Sequence, residues 1–567
     1  MVSSPIPSSR ARLAEHEGSI LADARMYARF AWGLPGFLRR RITLQQAEQT
    51  VRRRLAERET NFLRLLQRGV YGYPRSPYLP LLRHAGCELG DLRAMLRTRG
   101  IEGTLQALRE AGVYVRFEEF KGREPIVRGG LVIAVRASDF DNPYLSPAYY
   151  VQSGGTSGAG TRVPTDLDHQ AAMAANLILA DDAHGLRGAP IALWRGVLPD
   201  GSGIMHLLQG ALMGNVPRKW FTPVTGQDLH PALKYQVATY SAVLIGRAIG
   251  VPLPWPEKLP LDRATVLARW MADTLRAEGA CLVRTGVSRA VRVSIAAREA
   301  GLDLRGASFW GGGEPPTPAK VREITACGAR WIPNYPFAEG GRVGIGCARP
   351  LDGNDVHFFK DSLALIQHAR QVPGMDVTVP SFHFTTLLPT APKLLLNVES
   401  DDYGVLETRS CGRPLEGYGF SEHIREVRSF RKLTGEGVTL VGSEMVRILE
   451  SVLPSRFGGS SLDYQLLEEE DERGFTRLTL LVSPGISLAD DATVIGAVLD
   501  ELGRSGPAAD GARAIWSQAR TLRVRRREPI WTARGKLMPL HLAERSERAV
   551  AAGTTAPASG AESGDAE

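Results

Sequence analysis

Ser153-Gly154-Gly155-Thr156-Ser157-Gly158-Ala159-Gly160-Thr161-Arg162 places four glycines and four hydroxyl side chains in ten positions. Glycine lets backbone N–H groups approach an anion closely. Ser and Thr add hydroxyl donors, and a run of such donors forms a concave anion site. A polyphosphate suits that pattern. The loop is not a Walker A motif, which ends in Gly-Lys-Ser/Thr, because no lysine lies between Lys121 and Lys219. A flexible Gly/Ser linker would share the same composition.

Four further segments carry candidate chemistry. In Phe309-Trp310-Gly311-Gly312-Gly313-Glu314-Pro315, the glycines let a flat group lie against the backbone or simply make a tight turn. Asn334-Tyr335-Pro336-Phe337-Ala338-Glu339 offers an aromatic to stack on a base and a carboxylate for Mg²⁺, which prefers one or two carboxylates plus phosphate oxygens. A half-buried Tyr and a surface Glu would read the same. Asn397-Val398-Glu399-Ser400-Asp401-Asp402-Tyr403 sets acids at a strand end, where one can accept ribose hydroxyls or sit in a solvated turn. Trp531-Thr532-Ala533-Arg534-Gly535-Lys536 ends in a lysine beside a glycine. Only nine of the 69 Lys and Arg residues are lysines, which makes Lys536 a candidate targeted cation.

These segments need elements to position them. Residues 10–112 read helical, with leucine and valine at three- and four-residue spacing over Gln45–Gln67 and Leu92–Ala111. Apolar runs then predict strands at Leu131–Val135, Pro190–Val197, Ala280–Val287, Ala307–Trp310 and Arg330–Ile332. Helical segments fall between them at Asp168–Asp182, Leu233–Gly250 and Arg263–Glu278. That alternation predicts an α/β domain with a largely parallel sheet. Strand-rich sequence resumes at Lys393–Glu399 and Val405–Ser410. From about Arg428 a small α+β unit is expected: a helix at Ser443–Val452, a strand at Thr476–Val482, a helix at Asp491–Leu502 and a strand at Leu522–Arg525. The predicted division is a helical N-terminal region over 1–114 as part of the large domain, a core over 115–427, a small mobile domain over 428–544 and a disordered tail over 545–567.

At 567 residues, with 43% hydrophobic and 23% charged residues, the chain is an ordinary globular protein of two or more domains. No apolar run reaches a membrane span. The polar N-terminus lacks an h-region, and five scattered cysteines make no disulfide framework, so a cytoplasmic protein is expected. The net charge is +8, but the densest runs, Arg39–Arg41, Arg52–Arg54 and Arg525–Arg527, lack aromatic stacking partners. Nucleic acid is not an expected partner; the surplus suits anionic substrates.

Taken in this order, the segments resemble the adenylate-forming superfamily, and within it the phenylacetate-CoA ligase-like and acyl-protein synthetase-like branch, over roughly residues 115 to 542. Ser153, Gly154, Gly155, Thr156, Ser157, Gly158 and Thr161 match the phosphate loop. Gly312, Gly313, Glu314 and Pro315 match the adenine-side loop, and Asn334 and Tyr335 through Glu339 the Tyr-Gly-x-Thr-Glu motif. Asp401 stands where the ribose-binding Asp belongs, Arg428 near the hinge, Thr434-Gly435-Glu436-Gly437 in the loop after it, and Lys536 at the catalytic lysine of the small domain. His206, in Ile204-Met205-His206-Leu207, resembles the His or aromatic of the acyl pocket, though a core histidine would look alike. The family's Gly is Pro336 here, its Thr is Ala338, and its acidic hinge residue is replaced by Phe430 or Arg431.

The resemblance implies two half-reactions at one site. A carboxylate attacks the α-phosphorus of ATP, giving acyl-AMP and pyrophosphate; after a swing of the small domain a nucleophile displaces AMP. Glu339 would hold Mg²⁺ with Thr156 nearby, and Lys536 would neutralise developing charge. The acceptor implied first is CoA; a carrier-protein thiol or an amine is the alternative, and a nucleotide-binding protein without turnover is a third reading, motivated by Pro336, Ala338 and Phe430. Trp194, Trp220, Phe221 and Trp310 suit a planar acid or ordinary core packing. The helical N-terminal region could support a homodimer. Relatives in this branch often carry Cys-Gly-Cys where this chain has Cys411-Gly412-Arg413. Cys347, His357 and Cys411 would then be three zinc ligands, one short of a tetrahedral set.

Overall fold

A computed structural model describes residues 20–152, 161–223, 233–371, 378–429, 432–435, 438–441, 445, 447–473, 475–503, 507–530 and 540–542. The described residues begin with helices, among them α1 (Ile20–Arg39), α2 (Leu44–Ala56), α3 (Arg58–Leu66) and α4 (Leu89–Glu110), with a short helix at Tyr78–His84 before α4. The helical signal over Gln45–Gln67 is thus broken in two. Thr43 accepts from the Gln46 amide and Gln46 bonds back, a capping box that starts α2.

A hairpin of β1 (Tyr149–Gln152) and β2 (Arg162–Thr165) follows. Alternation then begins with α5 (Leu167–Ala183), β3 (Ile191–Trp194), α6 (Ser202–Met213), β4 (Lys219–Thr222), α7 (Leu233–Ala248) and β5 (Pro256–Lys258). It continues through α8 (Ala264–Glu278), β6 (Cys281–Gly286), α9 (Val287–Glu299), β7 (Ala307–Gly312), α10 (Pro318–Thr325) and β8 (Arg330–Phe337). The next six strands are β9 (Gly341–Gly346), β10 (Val356–Phe358), β11 (Leu363–Gln371), β12 (Thr378–Thr386), β13 (Val398–Thr408) and β14 (Glu422–Ser429).

One 12-stranded sheet runs in the order β11-β12-β13-β14-β10-β9-β8-β7-β6-β3-β4-β5. The six strands from β8 to β5 pair in parallel, as the βα alternation requires; the other half is antiparallel. Strands β6 and β7 are buried along their whole length, as expected of a sheet covered on both faces. Helices α1, α2, α5 and α6 cover one face, and α8, α9 and α10 the other. The antiparallel half packs on α3 and α4.

Two sequence expectations change. Lys393–Glu399 and Val405–Ser410 are not two strands; β13 spans Val398–Thr408 as one, and Leu131–Ile133 belongs to a separate two-stranded hairpin. Among the described residues, the small unit carries a four-stranded sheet of β15 (Tyr464–Glu470), β16 (Thr476–Val482), β17 (Leu522–Arg526) and β18 (Leu540–Leu542), ordered β17-β16-β15-β18, and a separate hairpin of Lys432–Gly435 with Val438–Val441. Helices α11 (Asp491–Gly503) and α12 (Pro507–Ala519) pack on it. The architecture is an α/β large domain with a small C-terminal α+β domain. It docks on the α9–α10 face: Lys320 Nζ donates to Thr476 Oγ1 at 2.9 Å, and Arg292 lies over the Phe475 ring at 4.5 Å. No described helix is long and apolar enough to cross a membrane.

Candidate active site

The C-terminal ends of the parallel strands gather most of the described candidates, where ligands bind in open α/β sheets. At the end of β7 a Cβ on Gly312 would lie 1.9 Å from the Asn334 carbonyl oxygen, so only glycine allows β7 and β8 to approach there. Pairing of β8 with β9 shifts register between Tyr335 and Pro336, a bulge at the residue that has no N–H to give the ladder. The departure at Pro336 thus has a structural reason.

Tyr335 lies half-buried beside Phe384, and its hydroxyl donates to Asp402 Oδ2 at 2.8 Å. Burial first, then the Asp402 charge, pushes the phenol well above its ordinary range, so it stays protonated. Ser429 of β14 bonds the other Asp402 oxygen. Adjacent strand residues point to opposite faces. Asp401 accordingly is fully buried while Asp402 faces Tyr335. Sequence reasoning singled out Asp401; the alternation of β13 is the signal that separates the two.

Glu339 is buried two residues past β8, and Lys121 Nζ lies 2.6 Å from its Oε1. Burial opposes ionisation, but the Lys121 charge and hydrogen bond outweigh it and hold the carboxyl down to about 2. Lys121 was not among the sequence candidates. Glu314 is buried too, accepting from the Ser288 amide at 2.7 Å and its hydroxyl at 2.6 Å, with Lys320 at 3.3 Å. Its carboxylate therefore anchors the start of α9, and the neighbouring Gly312, Gly313 and Pro315 offer only backbone or ring surface. Asn334 Oδ1 accepts from Arg342 Nε at 3.1 Å.

His206 lies on α6, 3% exposed, with Nδ1 buried and unpartnered. Burial, then Arg284, Arg195 and Arg342, push it well below the ordinary histidine range, so it is a neutral imidazole. Thr161 is half-buried beside β2, where Arg162 stacks on Tyr150 and pairs with Asp23 at 3.2 Å. Arg428 is exposed on β14, opposite Tyr403. Ser153, Gly154, Gly155, Thr156, Ser157, Gly158, Phe430, Arg431, Glu436, Gly437, Lys536 and the tail over 545–567 lie outside the described residues.

No family model and no curated protein matches the sequence. Solved structures do. A 2-hydroxyisobutyryl-CoA ligase in complex with 2-HIB-AMP and CoA, in the thioesterification state, superposes with a TM-score of 0.53 at 17% identity, covering 88% of this chain and 92% of that one. The chain shares the fold of that ligase. An amide bond synthetase from Marinactinospora thermotolerans also matches, at 11% identity and a TM-score of 0.39 over 93% of this chain and 100% of the other. The Tyr335–Asp402 pair joins β8 to β13, and Glu339 follows Tyr335 by four residues, just past the end of β8.

A second cluster gathers His357 on β10, His423 on β14, Cys347 just past β9 and Cys411 between β13 and β14. Ligand atoms of Cys347, His357, Cys411 and His423 all fall within 4.8 Å of one another, and all four residues are buried. Cys411 Sγ and His357 Nε2 are 3.7 Å apart. Tetrahedral zinc, with Zn–S about 2.3 Å and Zn–N about 2.0 Å, sets ligand atoms about 3.3–3.8 Å apart. His357 Nδ1 is bonded to the Phe420 carbonyl at 2.7 Å. His423 Nδ1 is bonded to Asp355 Oδ1, also at 2.7 Å, and Arg409 holds Asp355. Both Nε2 atoms are thereby turned inward, and that of His423 is buried without a partner. Such acceptors on the far nitrogen are what orient histidine ligands. His423 supplies the fourth donor that Arg413 cannot.

Proposed function

We propose that this chain activates a carboxylic acid with ATP as an acyl-adenylate, releasing pyrophosphate, and passes the acyl group to CoA. The observation that carries this is the Tyr335–Asp402 hydrogen bond at the end of β8, on the strand that leads to Glu339, in a fold shared with an acyl-CoA ligase. Asp402 would accept the ribose hydroxyls, with Tyr335 against the base. Glu339, ionised throughout the physiological range, is a hard oxygen donor of the kind Mg²⁺ takes, and Mg²⁺ there would neutralise phosphate charge. The Ser153–Thr161 donors would hold the β- and γ-phosphates, and Lys536 would stabilise charge growing between carboxylate and α-phosphate. Neutral His206 can accept or donate one hydrogen bond to the acid without adding charge.

Acid-dependent exchange of labelled pyrophosphate into ATP tests the reading, with Lys536→Ala as control. Exchange with an acid that vanishes in the variant supports it. Absence of exchange with every acid, despite ATP binding, would favour a nucleotide-binding protein without turnover. Adding CoA, amines or carrier protein to an active mixture then decides the acceptor.

We also propose that Cys347, His357, Cys411 and His423 hold a structural zinc ion. The inward Nε2 atoms and the spacing support this, and a closed four-ligand set leaves no open position for catalysis. Metal analysis of the purified protein tests it.

A further inference from the structure

Three arginines converge inside the large domain, beside the nucleotide candidates. Arg284 stands in strand β6, buried along its whole length, and is itself fully buried. Its Nη2 reaches both oxygens of Asp181, at 3.0 and 3.2 Å, but Nε and Nη1 are buried without an acceptor. Its guanidinium lies over the Trp310 ring at 4.3 Å. Arg342, 3% exposed, sits over the same ring at 5.6 Å and bonds only neutral oxygens, of Asn334, Gln209 and Met173. Arg195, just past β3, donates to the Thr285 carbonyl and leaves a buried Nε unpartnered. His206 Nδ1 and Trp310 Nε1 are buried and unpartnered as well.

The charges do not balance. Among the described residues, Asp181 is the one carboxylate that ion-pairs any of these three guanidiniums. Burial first lowers Arg195 and Arg342 to about 9; Arg289 and Arg284 repel Arg195 further, with Asp200 and Glu314 opposing, and Arg284 and Arg195 repel Arg342, with Asp181 opposing. Burying unpaired charge is strongly unfavourable unless an anion arrives. The cluster also borders the site. Trp310 directly precedes Gly311-Gly312-Gly313, and Asn334, bonded to Arg342, directly precedes Tyr335.

We propose that Arg195, Arg284 and Arg342 receive a second carboxylate on the substrate, so that the acid activated is a dicarboxylic acid. One carboxylate reacts with ATP near Tyr335 and Glu339; the other is held among the guanidiniums, with His206 and Trp310 as neutral donors. Guanidinium is the cation suited to this, because it is weakly hydrated and keeps its charge when buried. This rests on the adenylation reading above and narrows its substrate.

The test is pyrophosphate exchange with matched acid pairs, hexanoate against adipate and benzoate against the phthalates, in wild type, Arg195→Gln and Arg342→Gln. Exchange should favour the diacid at least tenfold in kcat/KM. Each variant should raise KM for the diacid at least tenfold with KM for ATP unchanged, the loss of a charged hydrogen bond. Arg284→Met with Asp181→Leu removes both members of the buried pair and guards against misfolding. Equal exchange with the monoacids overturns this inference and leaves adenylation standing. An equal rise in KM for ATP would assign the cluster to phosphate and overturn it too. Should no acid support exchange, adenylation falls, and calorimetric titration of the same diacids decides this site alone. Binding lost in Arg195→Gln supports it, and no binding overturns it.

Discussion

Lys121 Nζ lies 2.6 Å from Glu339 Oε1, in a buried pair that joins the segment after α4 to the end of β8. The ordinary carboxyl value of 4.5 falls to about 2 here: burial opposes ionisation, and Lys121 more than offsets it. A group with a depressed folded value stabilises the protein above its unfolded value, and that stability is lost as pH falls toward the folded one. Wild type should therefore lose about 3 kcal/mol between pH 4.5 and 2 from this carboxyl. Denaturant melts across that window should show a flatter acid limb for Glu339→Gln. At neutral pH, Glu339→Gln alone should cost about 3–5 kcal/mol by stranding Lys121, and Lys121→Met with Glu339→Gln should recover part of it. An acid limb as steep as wild type in Glu339→Gln would sink the assignment.

Asp402 and Asp401 give a sharper contrast. Asp402→Asn weakens an acceptor proposed for ribose and should raise KM for ATP about tenfold with little change in melting temperature. Asp401→Asn alters a fully buried carboxylate on the other face of β13 and should lower the melting temperature with KM for ATP unchanged. The reverse pattern would return the ribose role to Asp401.

Much of this was legible in the sequence where one signal dominated. Thr476–Val482 and Asp491–Leu502 read correctly because Leu, Thr and Val dominate the first and helical spacing holds in the second. Tyr464–Glu470 was missed because its last three residues are all glutamate, which hides the period. Local motifs placed Tyr335 and Glu339, but not Lys121, whose partner stands 218 positions away. Arg284 was absorbed into an apolar run, although an arginine in a fully buried strand was itself the signal. His423 could not be paired with Cys347 from spacing, because the β9–β10–β14 adjacency that joins them is tertiary.

Cys411→Ser and His423→Ala should each remove the metal, read as zinc falling from about one per chain to a small fraction by mass spectrometry. Loss of a closed structural site should also lower the melting temperature by several degrees, in line with metal affinity acting as folding free energy. Arg413→Ala, altering the neighbour that cannot ligate, should leave zinc content unchanged. Metal-free wild-type protein with an unaltered melt would remove the case for a structural ion.

Lys536→Ala should cut the exchange rate about 10²–10³-fold, the scale on which a preorganised charge-stabilising group acts. ATP affinity should change far less, since such a group acts on charge that develops only during reaction. Equilibrium titration of ATP against both proteins separates the two. A parallel loss of affinity and rate would make Lys536 a ground-state phosphate ligand instead.

Gly312→Ala probes the frame rather than the chemistry. The added methyl would sit 1.9 Å from the Asn334 oxygen, a backbone atom that no rotamer change can move. The ends of β7 and β8 must then part, and the cost should reach or exceed about 3 kcal/mol, the upper range for overpacking. Because Asn334 holds Arg342 and precedes Tyr335, the shift should reach both the nucleotide and the acid sides at once. KM for ATP and for the acid should therefore rise together in whatever protein folds. Gly130→Ala, with open space around the new methyl, is the matched control and should leave stability and kinetics unchanged. Normal stability in Gly312→Ala would mean that the two strand ends do not meet as closely as described.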